Sequence, residues 1–197
     1  MLLYDNPISG NCYKVRLLLA LLGVAYERRE LSVFDRSDRA EVLGELNPGL
    51  RVPTLVLDDG RSLGESGAFL LYLADQTEYI PADRFERAQM LQWMFFEQYS
   101  FEPNIAVVRF WAEAGIDPNP DELANKRAAG TAALAAMERH LADRAFLVAE
   151  QYSLADIALY GYAHVAPEGG FDLEPYPAIR AWLGRVAARR GHITIDD

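Results

Sequence analysis

The feature that most limits the fold is a change of periodicity near residue 80. Over residues 2–76, short strand-like runs alternate with helical ones; from residue 84 onward helix signals stand almost alone. Residues 2–5 predict a strand closed by Asn6-Pro7. Residues 11–22 predict a helix stopped by Gly23. Residues 25–31 predict a second strand, and 37–46 a short helix ended by Asn47-Pro48-Gly49. Strands at 54–57 and 61–63 flank Asp59-Gly60, a hairpin turn pair, and 65–76 predict a third helix. The order is βαβαββα. Its β-α-β start requires a parallel pair with a right-handed crossover, and the hairpin adds antiparallel strands, so the sheet is mixed. Helices predicted at 84–114, at 120–143, from 153 onward and at 176–189 make a helix bundle. The fold class is therefore α/β plus all-α: a first domain over 1–77, a linker over 78–83 and a helical domain over 84–197.

Composition narrows the function. The 197 residues are 51% hydrophobic, enough for one large core or two small ones. The net charge of −10 divides into −4 over residues 1–78 and −6 beyond, with no basic patch, which argues against nucleic-acid binding. One cysteine excludes an intrachain disulfide and points to a reducing compartment. The opening MLLYDNP lacks the basic stretch of a secretory signal, and the longest apolar run, 17–22, is too short for a membrane span. The expectation is a cytoplasmic protein without membrane partners. His140, His164 and His192 show no metal-ligand spacing to one another or to Cys12, so no metal is expected.

Four short stretches can carry chemistry. Ser9 precedes the first helix, where free backbone N–H groups and the positive dipole end favour an anion, including a thiolate. Its hydroxyl either caps the helix or turns outward to donate to a bound thiolate. Cys12, in the first turn, is either a small buried filler or a reactive thiol; it lacks the second cysteine of a C-x-x-C pair. Pro53 stands just ahead of a strand, where it fits as an ordinary loop proline or as a cis Val52–Pro53 bond exposing the Val52 backbone. Glu65 and Ser66 open the third helix, either as caps or as a head-group site in which N–H groups take a carboxylate and Glu65 takes an ammonium. Ser153-x-x-Asp156 reads as a capping box with Asp in place of Glu, and is structural. The aromatic run around Trp93 to Phe101 reads as core or subunit interface.

In this order and spacing, Ser9, Val52-Pro53, Glu65-Ser66 and Ser153-x-x-Asp156 resemble the cytosolic glutathione S-transferase family over essentially the whole chain. The stretch SGNCYKVRL looks most like bacterial serine-type members. The resemblance implies a thioredoxin-like first domain, an all-helical second domain and a homodimer whose contacts use the helices beginning at Glu65 and Arg84. It implies glutathione as co-substrate, with Ser9 and Asn11 at its sulfur, Val52 and Pro53 at its cysteinyl backbone, and Glu65 and Ser66 at its γ-glutamyl end. A small electrophile would lie against Tyr13, Phe101, Asn104, Val108 and Trp111. Three departures stand out. Leu50 occupies the place where many relatives have glycine before the basic residue. Ala149 stands where a glycine commonly makes a tight turn. No cation matches the family's partner for the glycyl carboxylate, leaving Arg36, Arg39 and Arg51 as candidates.

The energetics suit that role. A thiol of pKa roughly 8.5 needs roughly 2.7 kcal/mol of preferential thiolate stabilisation to drop two units. A hydrogen bond to a charged group supplies about 1.5–3 kcal/mol, and a helix dipole up to about 2 kcal/mol. Three functions fit: a transferase acting on small electrophiles, a glutathione-dependent disulfide or peroxide reductase, and a non-catalytic binding protein that keeps the fold.

Overall fold

The computed structural model describes residues 1–197. They form two units, Met1–Thr77 with Arg190–Asp197, and Glu78–Arg189. This differs from the expected division at both ends of the second domain. The predicted linker groups with the helices, and the last eight residues group with the first unit.

The first unit runs β1 (Leu2–Asp5), α1 (Gly10–Leu22), β2 (Glu27–Glu30), α2 (Arg39–Leu43), β3 (Thr54–Val56), β4 (Ser62–Leu63) and α3 (Ser66–Leu73). The sheet order is β2-β1-β3-β4. β1 pairs parallel with β2 and antiparallel with β3, and β3 pairs antiparallel with β4. The mixed sheet and the βαβαββα order are thus as the sequence predicts. β2 reads Glu-Arg-Arg-Glu and is exposed throughout, a charged edge that discourages pairing with another chain. Along β1 the side chains alternate between two cores. Leu3 packs with Leu55, Val15 and Leu19 of α1 and Phe69 of α3 on one face. Tyr4 packs with Leu31 and with Leu43 of α2 on the other. α1 is buried nearly all round, and Gly23 closes it in the left-handed conformation at φ 66°.

The second unit runs α4 (Arg84–Phe96), a π-helical segment (Glu97–Phe101), α5 (Glu102–Glu113), α6 (Pro120–Leu141), α7 (Leu154–Ala163), a 3-10 turn (Ala166–Gly169) and α8 (Pro177–Ala187). The single helix expected over 84–114 is interrupted. Pro103 has no N–H for the carbonyl of Tyr99, and its ring crowds that turn, so the chain widens into the π segment before α5 resumes. α4 starts on Asp83, whose Oδ1 accepts from Phe85 and Glu86 N–H at 2.8 and 3.0 Å. Asn119 does the same for α6, ahead of Pro120. α7 is buried along its whole length and carries the capping box. Asp156 there accepts from Ser153 N–H and Oγ–H and from Leu147 N–H, and also from Trp182 Nε1–H on α8 at 2.9 Å. No helix is long and apolar enough to cross a membrane.

Candidate active site

Two helix N-termini and one loop build the site in the first unit. β1 ends at Asp5, and Asn6 to Ser9 turn the chain into α1. The Asn6 side chain is the hinge of that turn. Its Nδ2 donates to Leu31 O at 3.0 Å while its Oδ1 accepts from Ile8 N–H. Ser9 is half-buried, and its Oγ accepts from Cys12 N–H at 3.3 Å, so in this conformation it caps the helix. Two residues on, Asn11 Oδ1 accepts from Lys14 Nζ at 2.8 Å and from Ser66 Oγ at 3.3 Å. The last bond joins the start of α1 to the start of α3. Residues 55 positions apart, predicted to serve the sulfur and the γ-glutamyl end of one ligand, thus meet.

Glu65 caps α3 with φ 68° and ψ 115°, and its side chain is exposed. A non-glycine residue held there costs on the order of 1–3 kcal/mol, a strain found mostly at ligand and catalytic sites. Ser66 is buried beside it. The Val52–Pro53 bond is cis, the second of the two alternatives for this proline. Asn47 secures that loop: its Nδ2 donates to Arg51 O and Thr54 Oγ1, and its Oδ1 accepts from Gly49 N–H. A Cβ at Gly64 would meet Asn47 Oδ1 at 2.9 Å, so any larger residue there would displace the Asn47 side chain. Sequence reasoning saw Asn47 only as the end of a helix. Its position six residues before a Pro-led strand was the available signal.

Cys12 is fully buried. Burial pushes its thiol well above the ordinary range, and the neighbouring Asp5 carboxylate adds to the rise. The filler reading therefore holds over the reactive one. Among the three candidate cations, Arg39 differs from the others. It is 4% exposed and donates from Nη2 to Ser32 O, while Nε and Nη1 have no partner. Arg36 is exposed and bonded to Val33 O, and Arg51 is exposed.

The residues expected to line the electrophile are placed unevenly. Tyr13 is fully buried and donates its hydroxyl to Ile193 O at 2.7 Å, so that group is committed within the first unit. Phe101 and Val108 are buried in the helical unit. Asn104 is half-buried and donates to Ser100 O, and Trp111 is half-buried with Lys126 Nζ 5.8 Å from its ring centre.

A thioredoxin-like unit with a cis-proline loop and two helix N-termini, followed in the chain by a helical unit, is the architecture of the glutathione S-transferases. Family models agree. The glutathione S-transferase N-terminal domain matches residues 3–81 and the C-terminal domain matches residues 91–190. The chain belongs to the glutathione S-transferase family. A glutathione S-transferase from Pseudomonas fluorescens superposes with a TM-score of 0.94 at 44% identity, covering 100% of this chain and 98% of that one. The disulfide-bond oxidoreductase YfcG of Escherichia coli is 29% identical over 95% of this chain and 90% of its own. A glutathione transferase from Pseudomonas putida, solved with glutathione disulfide bound, gives a TM-score of 0.84 at 27% identity over 96% of this chain and 87% of that one.

Proposed function

We propose that this protein is a glutathione transferase in which Ser9 and Asn11 hold the thiolate of bound glutathione for attack on a small hydrophobic electrophile. The observation that carries the reading is the Ser66–Asn11 bond, which brings two helix N-termini together at 3.3 Å. One terminus then favours a thiolate and the other a carboxylate. Ser9 turns from Cys12 N–H to donate to the sulfur. Ser66 and the first N–H groups of α3 take the γ-glutamyl carboxylate, and exposed Glu65 takes its ammonium. Val52, which no backbone hydrogen bond engages, pairs with the cysteinyl segment ahead of Pro53. Arg39, with two unpartnered nitrogens, answers the glycyl carboxylate. Of the helical-unit residues expected at the acceptor, Asn104 and Trp111 are the accessible ones. The protein works as a homodimer, a reading supported by exposed apolar side chains on α3 (Leu71, Tyr72) and α4 (Phe85, Phe95).

A second reading, glutathione-dependent disulfide reduction, draws on Asn11 standing beside Ser9 and on the Escherichia coli relative's disulfide chemistry. One set of measurements separates the possibilities. Calorimetry should show glutathione binding at millimolar ligand or below. Ser9→Ala should lower kcat/KM for conjugation by about 10–100-fold, the worth of one charged hydrogen bond. Cys12→Ala should stay within about twofold of the parent. The reverse pattern, or no glutathione binding, overturns the proposal. Faster turnover of small disulfides than of any aryl halide decides for the reductase.

A further inference from the structure

Residues 190–197 make a strap whose backbone is held by three side chains of the first unit. Tyr13 of α1 donates to Ile193 O at 2.7 Å, Arg16 of α1 to Ile195 O at 2.6 Å, and Arg28 of β2 to Asp197 O at 3.0 Å. The acceptors are the carbonyls of residues 193, 195 and 197, and the last two stand in a turn closed by Asp197 N–H donating to Thr194 O. The strap is folded back on itself by Asp197, whose Oδ2 accepts from Thr194 N–H and Oγ1–H at 2.7 and 2.9 Å.

The central donor also holds the loop that carries Ser9. Arg16 is fully buried and lies two helical turns below Ser9. Its Nη1 donates to Asp5 Oδ2 at 2.9 Å and Asn6 O at 3.3 Å; its Nη2 donates to Pro7 O at 3.2 Å as well as to Ile195 O. Asp5 is shared, because Arg28 pairs with the same carboxylate oxygen while reaching Asp197. One planar guanidinium therefore ties the end of β1, two consecutive carbonyls of the turn into α1, and the strap. A guanidinium is a rigid fork, so the acceptor on one side sets the angle it presents to the others.

We propose that the 190–197 strap positions Ser9 through Arg16, making Arg16 a positioning residue for the thiolate site and the strap a working part of it. Without Ile195 O, Nη2 keeps only the carbonyl of Pro7, and the Asn6–Ser9 turn keeps its own bonds but loses the outer anchor that fixes the guanidinium's angle. The effect on thiolate chemistry rests on the assignment of Ser9 above; the effect on the turn does not.

The test compares the full chain with chains ending at Ile195 and at Ile193, and with Arg16→Lys in the full chain. Hydrogen exchange of the segment 6–13 should speed up at least about tenfold in the chain ending at Ile193 and in Arg16→Lys. The chain ending at Ile195 keeps the Arg16 acceptor but loses the Asp197 clamp and the Arg28 bond, so its exchange should fall between those of the full chain and the Ile193 chain. In the same two loosened variants, the acid limb of the kcat/KM–pH profile for conjugation should move up by about one unit, with kcat changed more than the KM for the electrophile. Unchanged exchange in 6–13 for the Ile193 chain overturns the proposal. Should the Ile193 chain fail to fold, a parent-like exchange pattern and pH profile in Arg16→Lys overturns it equally. Faster exchange in a protein whose full chain shows no glutathione-dependent activity sustains the strap and refutes the reading of Ser9.

Discussion

At the scale of single residues, two departures from the family pattern acquire a physical meaning. Leu50 and Ala149 stand where glycine is common, and both take positive φ, 51° and 53°. The side chains differ in what they return. Leu50 packs against the core around Tyr4 and Leu43, which offsets part of its strain. Ala149 is exposed and gains no such contact. Ala149→Gly should therefore raise the unfolding free energy by up to about 1 kcal/mol, read as a shift of the denaturant midpoint at constant slope. A destabilised variant would show that Ala149 is not strained. Cys12 illustrates the opposite case, a residue whose chemistry drew notice and whose burial removes it.

At the scale of elements, α7 depends on one carboxylate. Asp156 is fully buried with four donors around it, and burial lifts its carboxyl to about 6 while those hydrogen bonds pull the other way. A folded value above the unfolded one, near 3.9, means that the folded protein holds this proton more tightly. The resulting stability is full below about pH 4 and is lost as pH rises through 6. Two units correspond to about 3 kcal/mol. The unfolding free energy of the protein relative to Asp156→Asn should thus be larger at pH 4 than at pH 7, by up to that amount. A difference of opposite sign would mean that the four donors outweigh burial. α8 depends on a distant group in another way. Tyr176 offers it no side-chain cap, and Glu138 of α6 accepts from Ala178 and Ile179 N–H, both at 3.0 Å. A carboxylate 40 residues away does the work of a capping residue.

At the scale of the whole molecule, the exposed aromatic residues need an explanation. Phe85, Phe95 and Tyr99 are 70%, 68% and 86% exposed, far beyond ordinary for such side chains. Phe95 and Tyr99 lie four residues apart, across the start of the π segment. Light scattering should give the mass of a dimer at micromolar concentration, and Phe95→Glu combined with Tyr99→Glu should give a monomer with an unchanged far-ultraviolet spectrum. A monomeric parent protein would overturn the dimer.

What the sequence determined by itself is the order of elements, the mixed sheet and the starts of α4, α6 and α7, with Ser9, Pro53, Glu65 and Ser66 marked as candidates. These are legible because alternation, helical period, capping and turn chemistry act over a few residues, and side-chain type records them. Only the tertiary structure decided that Asn11 meets Ser66, that Glu138 caps α8, that Asn47 holds the proline loop and that residues 190–197 leave the helical unit for the first one. The strap shows why. Its acceptors are the carbonyls of Ile193, Ile195 and Asp197, and its donors lie 169 to 180 residues away. Every residue of any chain carries such a carbonyl, so no side chain marks the three that Tyr13, Arg16 and Arg28 select.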